Sequence, residues 1–502
     1  MPAERGCVKI ELRVPEGKRL SKRSVAAAQG RSPYLSLFLL VTIILGSLFT
    51  AWLIVEPGKL NTTLVGAGMG ALIVAASPFY VVLAEVLLLP LDWLPAWGPL
   101  YLLGLLAFVS MGLAIGIKAA RKQRFVSPLQ WVMLAFVFVA TLSALASQPR
   151  HTALRTVMPL FQAFALAYSF EAFINTRARL VLVSWLLVVI AAIQALMCVV
   201  QPVLGPIAYL QRHLPTAEGV PWGYYFGPIP RAFGTFKHPA GAAFLIALGL
   251  FLLLGLLLIG RKRMPIWGFA IAVVMVMGLL ATFARAQIFF TAPGLLWLLW
   301  HYSGKSFGKL LGAYLALIIL GALAFYLLPQ DYRTATGHRI NAAFSPTSEH
   351  YRLSVNQQTW LVFLSHPLLG LGYGNVRWQL GEYASEAGAS EVGGEPHNLF
   401  LALGADLGLV GLGLFVLLIW YAHIQFGKAI NHCKHASPEL VGICYAFRLN
   451  LWLWVAAWLI GGSLGYPTVF LPFAWSAVCL QVAERSRILV EASSNEGAKR
   501  YQ

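Results

Sequence analysis

Long apolar runs separated by short polar segments recur along most of the chain. Most runs contain about 20 residues, the number that an α-helix needs to cross a bilayer. The pattern therefore predicts an all-α polytopic integral membrane protein with about 12 transmembrane helices. The spans are expected near 35–55, 99–117, 128–146, 155–173, 179–201, 239–260, 265–283, 287–301, 310–328, 397–420, 447–463 and 467–482.

The stretch 63–90 leaves the number of spans open. It is broken at Ser77-Pro78, and each half is shorter than the ~20 residues that a bilayer requires. It is either a pair of short spans or one bent re-entrant segment, which gives a total of twelve to fourteen. Both numbers are even, so both chain termini are expected on the same side of the membrane.

Two long polar segments, 202–238 and 329–396, interrupt the apolar pattern. The longer segment is predicted to contain a helix that starts at Ser348-Glu349, carries Arg352 in its first turn and stops at His366-Pro367. The predicted organisation has five parts: a tail at 1–34, helices with the first loop at 35–328, the large loop at 329–396, helices at 397–483, and a tail at 484–502.

Composition excludes a soluble globular protein. Hydrophobic residues make up 59% of the chain and charged residues only 11%, with a mean hydropathy of +0.72, whereas a soluble domain carries about a quarter of charged residues. None of the five cysteines lies in the large loop, so no disulfide framework is expected there.

The net charge of +18 is distributed as a topology signal rather than as a nucleic-acid surface. Of the 37 Lys and Arg residues, 26 fall in segments that alternate along the chain as one side of the membrane. The positive-inside rule makes this side the cytoplasm, so both termini are expected there and both long loops in the periplasm. These basic segments are Arg5 to Arg31, Lys118 to Arg124, Arg177 to Arg179, Arg261 to Arg263, Lys305 to Lys309, Lys428 to Arg448, and the C-terminal tail.

His397 closes the large loop and precedes an apolar run. Because proline is favoured at the first helical position, Pro396 places His397 in the first turn of the next span. The partial positive charge of a helix N-terminus disfavours imidazolium, which leaves a neutral ring able to accept a proton, and it attracts anions. The competing interpretation is a histidine that only satisfies local hydrogen bonds.

Three outward arginines accompany His397. Arg285 lies inside the apolar region 265–301, which is too long for one span and is expected to turn close to this residue. Guanidinium groups match phosphate oxygens with paired hydrogen bonds, so Arg285, Arg352 and Arg231 could together hold a diphosphate. The competing interpretations are snorkelling for Arg285, pairing with a loop glutamate for Arg352, and a solvated surface position for Arg231.

The span after His397 has its own pattern. Gly404, Gly408 and Gly411 are spaced to let another helix pack closely, and Asp406 is interpreted as a polar clasp. The sequence contains no HExxH motif, no CxxC pair and no Walker A loop, so no metal, cofactor or nucleotide is expected.

Taken together, these motifs resemble the O-antigen ligase and polymerase superfamily, over about residues 230–412. Arg285 at a span end contributes to the resemblance, which rests further on Gly234-Thr235-Phe236-Lys237-His238-Pro239, on the run from His366-Pro367 to Gly374-Asn375, and on the run from His397-Asn398 through Asp406 to Gly411.

The resemblance implies a glycosyltransferase of the Gram-negative inner membrane that needs no cofactor. It would move O-antigen from undecaprenyl diphosphate to a hydroxyl of the lipid A core oligosaccharide, on the periplasmic side. His397 would be the catalytic base, and Arg285 and Arg352, with Arg231, would hold the diphosphate. His238, Tyr373 and Asn398 would support the site.

Three alternatives stay open. Within the superfamily, a polymerase extends repeat units and a protein O-oligosaccharyltransferase glycosylates a pilin hydroxyl; the uninterrupted large loop favours the ligase. In another class, a lipid-linked glycan transporter would predict paired acids, broken helices at the midplane or repeated halves, and the sequence shows only scattered Glu85, Glu171 and Asp406.

Overall fold

The structure is a computed structural model, and its described residues belong to one compact unit within Gly70–Gln502. The expected span at 35–55, the first half of 63–90, and most of 310–328 lie outside these residues, as do the N-terminal tail and Arg339. The structure describes residues 77–91, 95–97, 100–147, 150–204, 216–217, 220–221, 231–236, 238–260, 264–302, isolated positions between 306 and 334, 346–383, 396–434, 437–461 and 468–499.

Helices make up nearly all of this part of the chain. They are α1 Pro78–Leu88, α2 Leu102–Ala120, α3 Pro128–Ala146, α4 Arg150–Phe173, α5 Arg177–Leu204, α6 Pro239–Leu254, α7 Ile266–Ala281, α8 Arg285–Tyr302, α9 Pro346–Ser365, α10 Val376–Gln379, α11 Leu399–Cys433, α12 Pro438–Trp458 and α13 Leu471–Lys499. A π-helical segment, Gly255–Gly260, continues α6, and 3-10 turns follow α1 and α10 at Leu89–Leu91 and Leu380–Tyr383.

Two short antiparallel strand pairs depart from the all-α prediction. Pro95–Trp97 pairs with Leu100–Tyr101, and Thr216–Ala217 pairs with Val220–Pro221. Both are tight hairpins of two or three residues per strand, and prolines and polar residues interrupt the apolar pattern around them. The second pair lies in the predicted loop 202–238.

Six described helices are long and apolar enough to cross a membrane, by length and composition: α2, α3, α5, α6 with its π-helical extension, α11 and α12. The protein is therefore a multi-pass membrane protein. The spans predicted at 155–173, 287–301 and 467–482 correspond to α4, α8 and α13, which are helical, and their crossing of the membrane stays a prediction.

The boundaries of the last three helices differ from those predicted. Helix α11 continues to Cys433 instead of ending at 420, and α13 continues to Lys499 through the predicted tail. Helix α12 begins at Pro438, nine residues before the predicted 447. The reason is local: the Ser437 hydroxyl accepts from the Leu440 N–H, and proline follows at the first helical position.

Other helix starts carry similar signals. At α3, Ser127 and Gln130 form a reciprocal capping box, again with proline at the first position. The bundle interior is rich in aromatic side chains, and Phe136, Phe415 and Phe473 are fully buried there. Large apolar side chains such as Trp131 and Phe289 are exposed at 62% and 72%, which suits a surface that meets lipid.

Contacts made by the first and last turns of α5 define the two opposite ends of the helix bundle. At one end Arg177 forms an ion pair with Glu439 at 3.1 Å, joining the starts of α5 and α12. At the other end Gln201, in the last turn of α5, binds the backbone of Phe233 and Gly234, just before α6. Arg177 and Gln201 are about 36 Å apart at 1.5 Å per residue, enough to cross a bilayer core. We call the end with Gln201 the arginine end.

Candidate functional site

The turn between α7 and α8 is the centre of the arginine end. Helix α7 ends at Ala281 and α8 begins at Arg285, so the chain turns where the length of the apolar region predicted it. Phe283 adopts the left-handed region with φ 50°, and the Thr282 hydroxyl accepts a hydrogen bond from the Ala284 N–H at 3.2 Å. The turn thus presents Arg285, whose side chain is exposed, at the start of α8.

Arg231 fastens this turn to the segment that leads into α6. Its Nε donates to the Thr282 carbonyl at 3.1 Å and its Nη2 to the Phe283 carbonyl at 3.3 Å. The next residue, Ala232, donates its N–H to the Ala281 carbonyl at 3.1 Å. Arg231 is half-buried rather than a solvated surface residue, and these bonds join it to the turn that carries Arg285.

Arg285 and Arg352 come together from distant parts of the sequence. Desolvation and then the positive charge of Arg352 lower the pKa of Arg285, although its side chain keeps an exposed surface. Arg352 lies in the second turn of α9, because the helix starts at Pro346 rather than at Ser348. Two neighbouring guanidinium groups form a local field that favours an anion.

His238 is the N-cap of α6 and lies close to Arg231. Its Nδ1 accepts a hydrogen bond from the Ala240 N–H at 3.1 Å. Although the side chain keeps an exposed edge, desolvation and then the charge of Arg231 lower the pKa of His238 to about 4. A ring that accepts at Nδ1 carries its proton at Nε2, so at neutral pH His238 is an uncharged donor at this end of the bundle.

His397 lies two residues before α11 and not in its first turn as predicted. Asn398 takes the N-cap position instead: its Oδ1 accepts from the Leu401 N–H at 3.1 Å. Asparagine satisfies a free helix N–H directly, which proline at 396 cannot do, so the helix starts after Asn398. His397 is half-buried at the start of α11, the arginine end of that helix.

The predicted supporting residue Tyr373 is buried inside the bundle. Burial and the neighbouring Asp406 carboxylate raise the pKa of its hydroxyl well above the usual range, and only 4% of the residue is exposed. Its N–H donates to Ser143 Oγ at 3.1 Å. Tyr373 therefore supports the packing of the 366–375 segment, and its surroundings give it no exposed surface toward the arginines.

The 366–375 segment packs into a break in helix α11. Gly408 has φ 63° and ψ −165°, which interrupts the helix. Backbone groups released by the break bond to the segment: Leu371 N–H donates to Ala405 O at 2.9 Å, and Leu409 N–H donates to Pro367 O at 2.8 Å. This pairing satisfies polar backbone atoms that lipid could not satisfy.

Asp406 reinforces the same junction. One carboxylate oxygen accepts from the Val376 N–H at 3.0 Å, and its backbone carbonyl accepts from the Gly372 N–H at 2.9 Å. These contacts match the polar clasp predicted for Asp406. Gly404 lets helix α9 pack closely at Phe363, as predicted, whereas Gly408 contacts the inserted segment and Gly411 contacts Leu407 of its own helix.

Two glutamines of α5, which the sequence pattern did not predict as part of the site, hold the segment before His238. Gln201 Oε1 accepts from the N–H groups of Phe233 at 2.8 Å and Gly234 at 3.0 Å. Gln194 Oε1 accepts from the Thr235 N–H at 3.0 Å. Both are buried amides within an apolar helix, and such costly groups need partners; that pattern was the available signal.

The arginine end thus brings together Arg231, His238, Arg285 and Arg352, with His397 at the start of α11 on the same end. The arrangement offers charge-assisted donors for an anion, the uncharged ring of His238, and backbone positions fixed by buried amides. Tyr373 and Asn398 lie in structural positions beside it.

Residues 270–416 match the family model described as O-antigen ligase. The resemblance drawn from the motifs is confirmed over these residues, which include Arg285, Arg352 and His397. The motif Gly234 to Pro239 lies outside the match. A comparison with curated proteins finds no match.

Proposed function

We propose that this protein is an inverting, lipid-diphosphate-dependent glycosyltransferase that joins O-antigen to the lipid A core oligosaccharide. The observation that carries the proposal is that Arg352 lies close enough to Arg285 to lower its pKa, at the end of the bundle where α11 begins after His397. The match of residues 270–416 to the O-antigen ligase family supports the substrate class.

The arginine pair would bind the diphosphate of undecaprenyl-linked O-antigen. The positive charge of Arg352 lowers the pKa of Arg285, and an anionic diphosphate between the two guanidinium groups would offset this repulsion. Arg231 would keep the turn and Arg285 in register through the carbonyls of Thr282 and Phe283. The uncharged His238 would add a donor near the same phosphates.

His397 would be the general base. The acceptor hydroxyl gives its proton to the His397 ring as its oxygen bonds to the anomeric carbon of the glycan. The bond from that carbon to the diphosphate oxygen breaks on the opposite face, and undecaprenyl diphosphate leaves with the electron pair. General-base help of this kind contributes ~10²–10⁴-fold, and the fixed arginines stabilise the charge that develops on the leaving group.

The orientation follows from charge. Lys118, Arg121 and Arg177 lie at the end of the bundle opposite the arginine end. The positive-inside rule assigns their end to the cytoplasm. The active site would then face the periplasm, with both termini cytoplasmic, and acceptor and donor would meet at the outer surface of the inner membrane.

The break in α11 bears on the transporter alternative, because broken helices can hold substrates within a membrane. Here the break at Gly408 is filled by the chain's own segment, through hydrogen bonds from Leu371 and Leu409. Glu85 is likewise engaged, accepting from Ser110 at 2.5 Å and Ser169 at 2.7 Å. Neither feature offers an open site for a transported glycan.

The experiment supplies the purified protein with undecaprenyl-diphosphate O-antigen and rough lipopolysaccharide, without nucleotide. The proposal predicts slower-migrating lipopolysaccharide bands on a gel and an inverted anomeric linkage. Lengthening of the glycan on its own carrier would replace the ligase with a polymerase, and transfer only to an added pilin would replace it with a protein glycosyltransferase. If the carrier crosses a liposome membrane and no product forms, the proposal that the protein is an enzyme is wrong.

A further inference from the structure

A polar cavity lies at the end of the bundle opposite the arginine end. It has a volume of about 450 Å³ and opens between α1, α2, the α4–α5 junction and α13. Four cationic side chains line it, together with one carboxylate. They are Lys118, Arg121, Arg179, Arg485 and Glu171.

The position of this cavity is set by α5. Arg179 is in the first turn of that helix, and Gln201, which binds the arginine-end segment, is in its last. The two residues are about 33 Å apart at 1.5 Å per residue, close to the thickness of a bilayer core. The cavity therefore lies at the membrane boundary opposite the arginine end and is separate from the proposed reaction site.

Two of the cations are held in place. Arg179 Nη1 donates to Phe173 O at 2.9 Å and to Asn175 Oδ1 at 3.1 Å, while its guanidinium lies 4.8 Å from the centre of the Phe79 ring. Arg485 Nη1 donates to Asn175 O at 2.9 Å. Both arginines therefore converge on the backbone that joins α4 to α5.

Lys118 is ordered on the other wall. Its ammonium donates to Phe125 O at 3.0 Å and lies 4.3 Å from the centre of the Tyr168 ring. The opposing charge of Glu171 is partly engaged, since Ser127 Oγ donates to its Oε2 at 3.1 Å. The fixed backbones and rings mean that these cations lose little conformational freedom when they bind a ligand.

The cations keep unused donors. In the described part of the chain, Arg179 Nε and Nη2 have no hydrogen-bond partner, and the Arg121 side chain is exposed without one. Four cations face one carboxylate, so the cavity carries an excess of positive charge. Guanidinium donors in this state favour a phosphate group, which accepts several charge-assisted hydrogen bonds.

Apolar side chains line the part of the cavity next to the cations. Pro78, Phe79, Ala114 and Ile117 complete the cavity wall next to the cations. A free phosphate ion would gain nothing from these side chains, whereas a phospholipid would place its phosphate among the arginines and its glycerol and first acyl carbons against them.

We propose that this cavity binds the headgroup phosphate of a membrane phospholipid, in the leaflet opposite the arginine end. The phosphate would accept from Arg121, Arg179 and Arg485. Glu171 makes the site selective: a headgroup with an amine or hydroxyl can donate to its carboxylate, whereas an additional anionic group would be repelled.

The test uses the full chain, purified in a detergent without phosphate, and native mass spectrometry. Added probes are dioleoylphosphatidylglycerol, dioleoylglycerol without phosphate, and glycerol 3-phosphate without acyl chains. The variant is R121Q combined with R485Q. The matched control is K122Q combined with R124Q, which removes two exposed charges from the same end that do not line the cavity.

The proposal predicts that the unchanged protein and the control retain one phosphatidylglycerol, while the R121Q/R485Q variant loses affinity for it by about tenfold or more. Dioleoylglycerol should not bind, and glycerol 3-phosphate should not compete at equal concentration. Equal loss in the control variant would show only general surface charge and overturn the site. Competition by glycerol 3-phosphate would overturn the lipid and assign a soluble phosphate compound instead.

A folding defect is separated by a second variant. R121Q alone changes an exposed side chain without a described contact, so its thermal unfolding in detergent should match that of the unchanged protein. Its phosphatidylglycerol affinity should still fall, by about threefold. Unchanged affinity in R121Q, with loss only in an unstable double variant, would contradict the proposal.

Discussion

Arg352 of helix α9 lies close enough to Arg285 at the start of α8 to lower the pKa of Arg285, although 66 residues separate them in the sequence. Two cations adopt such an arrangement at a cost that a bound anion removes. Under the proposed function, the two guanidinium groups would form an anion site that neither residue could form alone.

Replacing either arginine by glutamine should lower glycan transfer by ~10²–10³-fold, the range for losing one preorganised donor to a developing anion. The transfer rate of R285K should lie between those of R285Q and the unchanged protein, since lysine keeps the positive charge but cannot form the paired hydrogen bonds of a guanidinium. Transfer rates of R285Q, R352Q and R285K, compared with R124Q at the opposite end, measure this. Transfer in R285Q and R352Q at the rate of R124Q would contradict the role.

The repulsion between Arg285 and Arg352 also predicts that a substitution which lowers transfer does not lower the stability of the unliganded protein. Without donor, R352Q removes a like-charge contact, so the unliganded variant should unfold at a temperature equal to or above that of the unchanged protein. With the diphosphate donor added, only the unchanged protein should gain thermal stability, by mass action. A marked loss of stability in unliganded R352Q would instead indicate that Arg352 is a structural residue.

His238 predicts a pH dependence of stability. Its pKa is about 4 in the folded protein and near 6.5 when unfolded, so between these values the unfolded chain binds the extra proton. Stability is then complete above about pH 6.5 and falls as the pH approaches 4. H238N keeps a capping side chain and should lose this part of the slope.

The measurement is thermal unfolding in detergent at several pH values, with H432N as the control at the other end of the bundle. H432N should keep the decline between pH 6.5 and 4. An unchanged slope in H238N would show that the decline, if present, comes from other groups.

Substitution of Gly408 by alanine tests whether helix α11 is broken at this residue. The left-handed backbone at φ 63° suits glycine, and a Cβ added there would overlap the backbone of Leu368 in the inserted segment. G408A should destabilise the protein by about 2 kcal/mol or more. G413A lies in the same helix, with open space around its added methyl group, and should leave stability unchanged or raise it slightly.

Thermal unfolding of the two variants gives the comparison. If G408A were as stable as G413A, the helix would not be broken at Gly408, and the insertion of residues 366–375 would be wrong. Loss of transfer in G408A without loss of stability would indicate that the break acts on the site directly.

The apolar periodicity was sufficient to predict most helices and the turn beside Arg285, because lipid requires runs of about 20 residues and the region 265–301 exceeds one run. Helix ends were less predictable. The start of α11 moved past His397 because Asn398 caps it, and α12 began early because Ser437 does the same. Both caps are local signals that the apolar run concealed.

The contacts that build the arginine end were beyond the sequence. The break at Gly408 exists because residues some 40 positions earlier supply its hydrogen-bond partners, and a pattern of neighbours carries no trace of this. The hold of Gln194 and Gln201 on the segment before His238 is likewise long-range. The arginines and histidines could be chosen as candidates by residue type. Which of them lie close together depends on long-range contacts that the sequence does not show.

The most direct test of the account is the transfer rate of H397A beside H432A, both purified and supplied with undecaprenyl-diphosphate O-antigen and rough lipopolysaccharide. We expect H397A to remain folded, to keep the stabilisation by donor that depends on Arg285 and Arg352, and to lose transfer by ~10²–10⁴-fold, while H432A transfers normally. Transfer by H397A at the rate of H432A would contradict a His397-centred reaction.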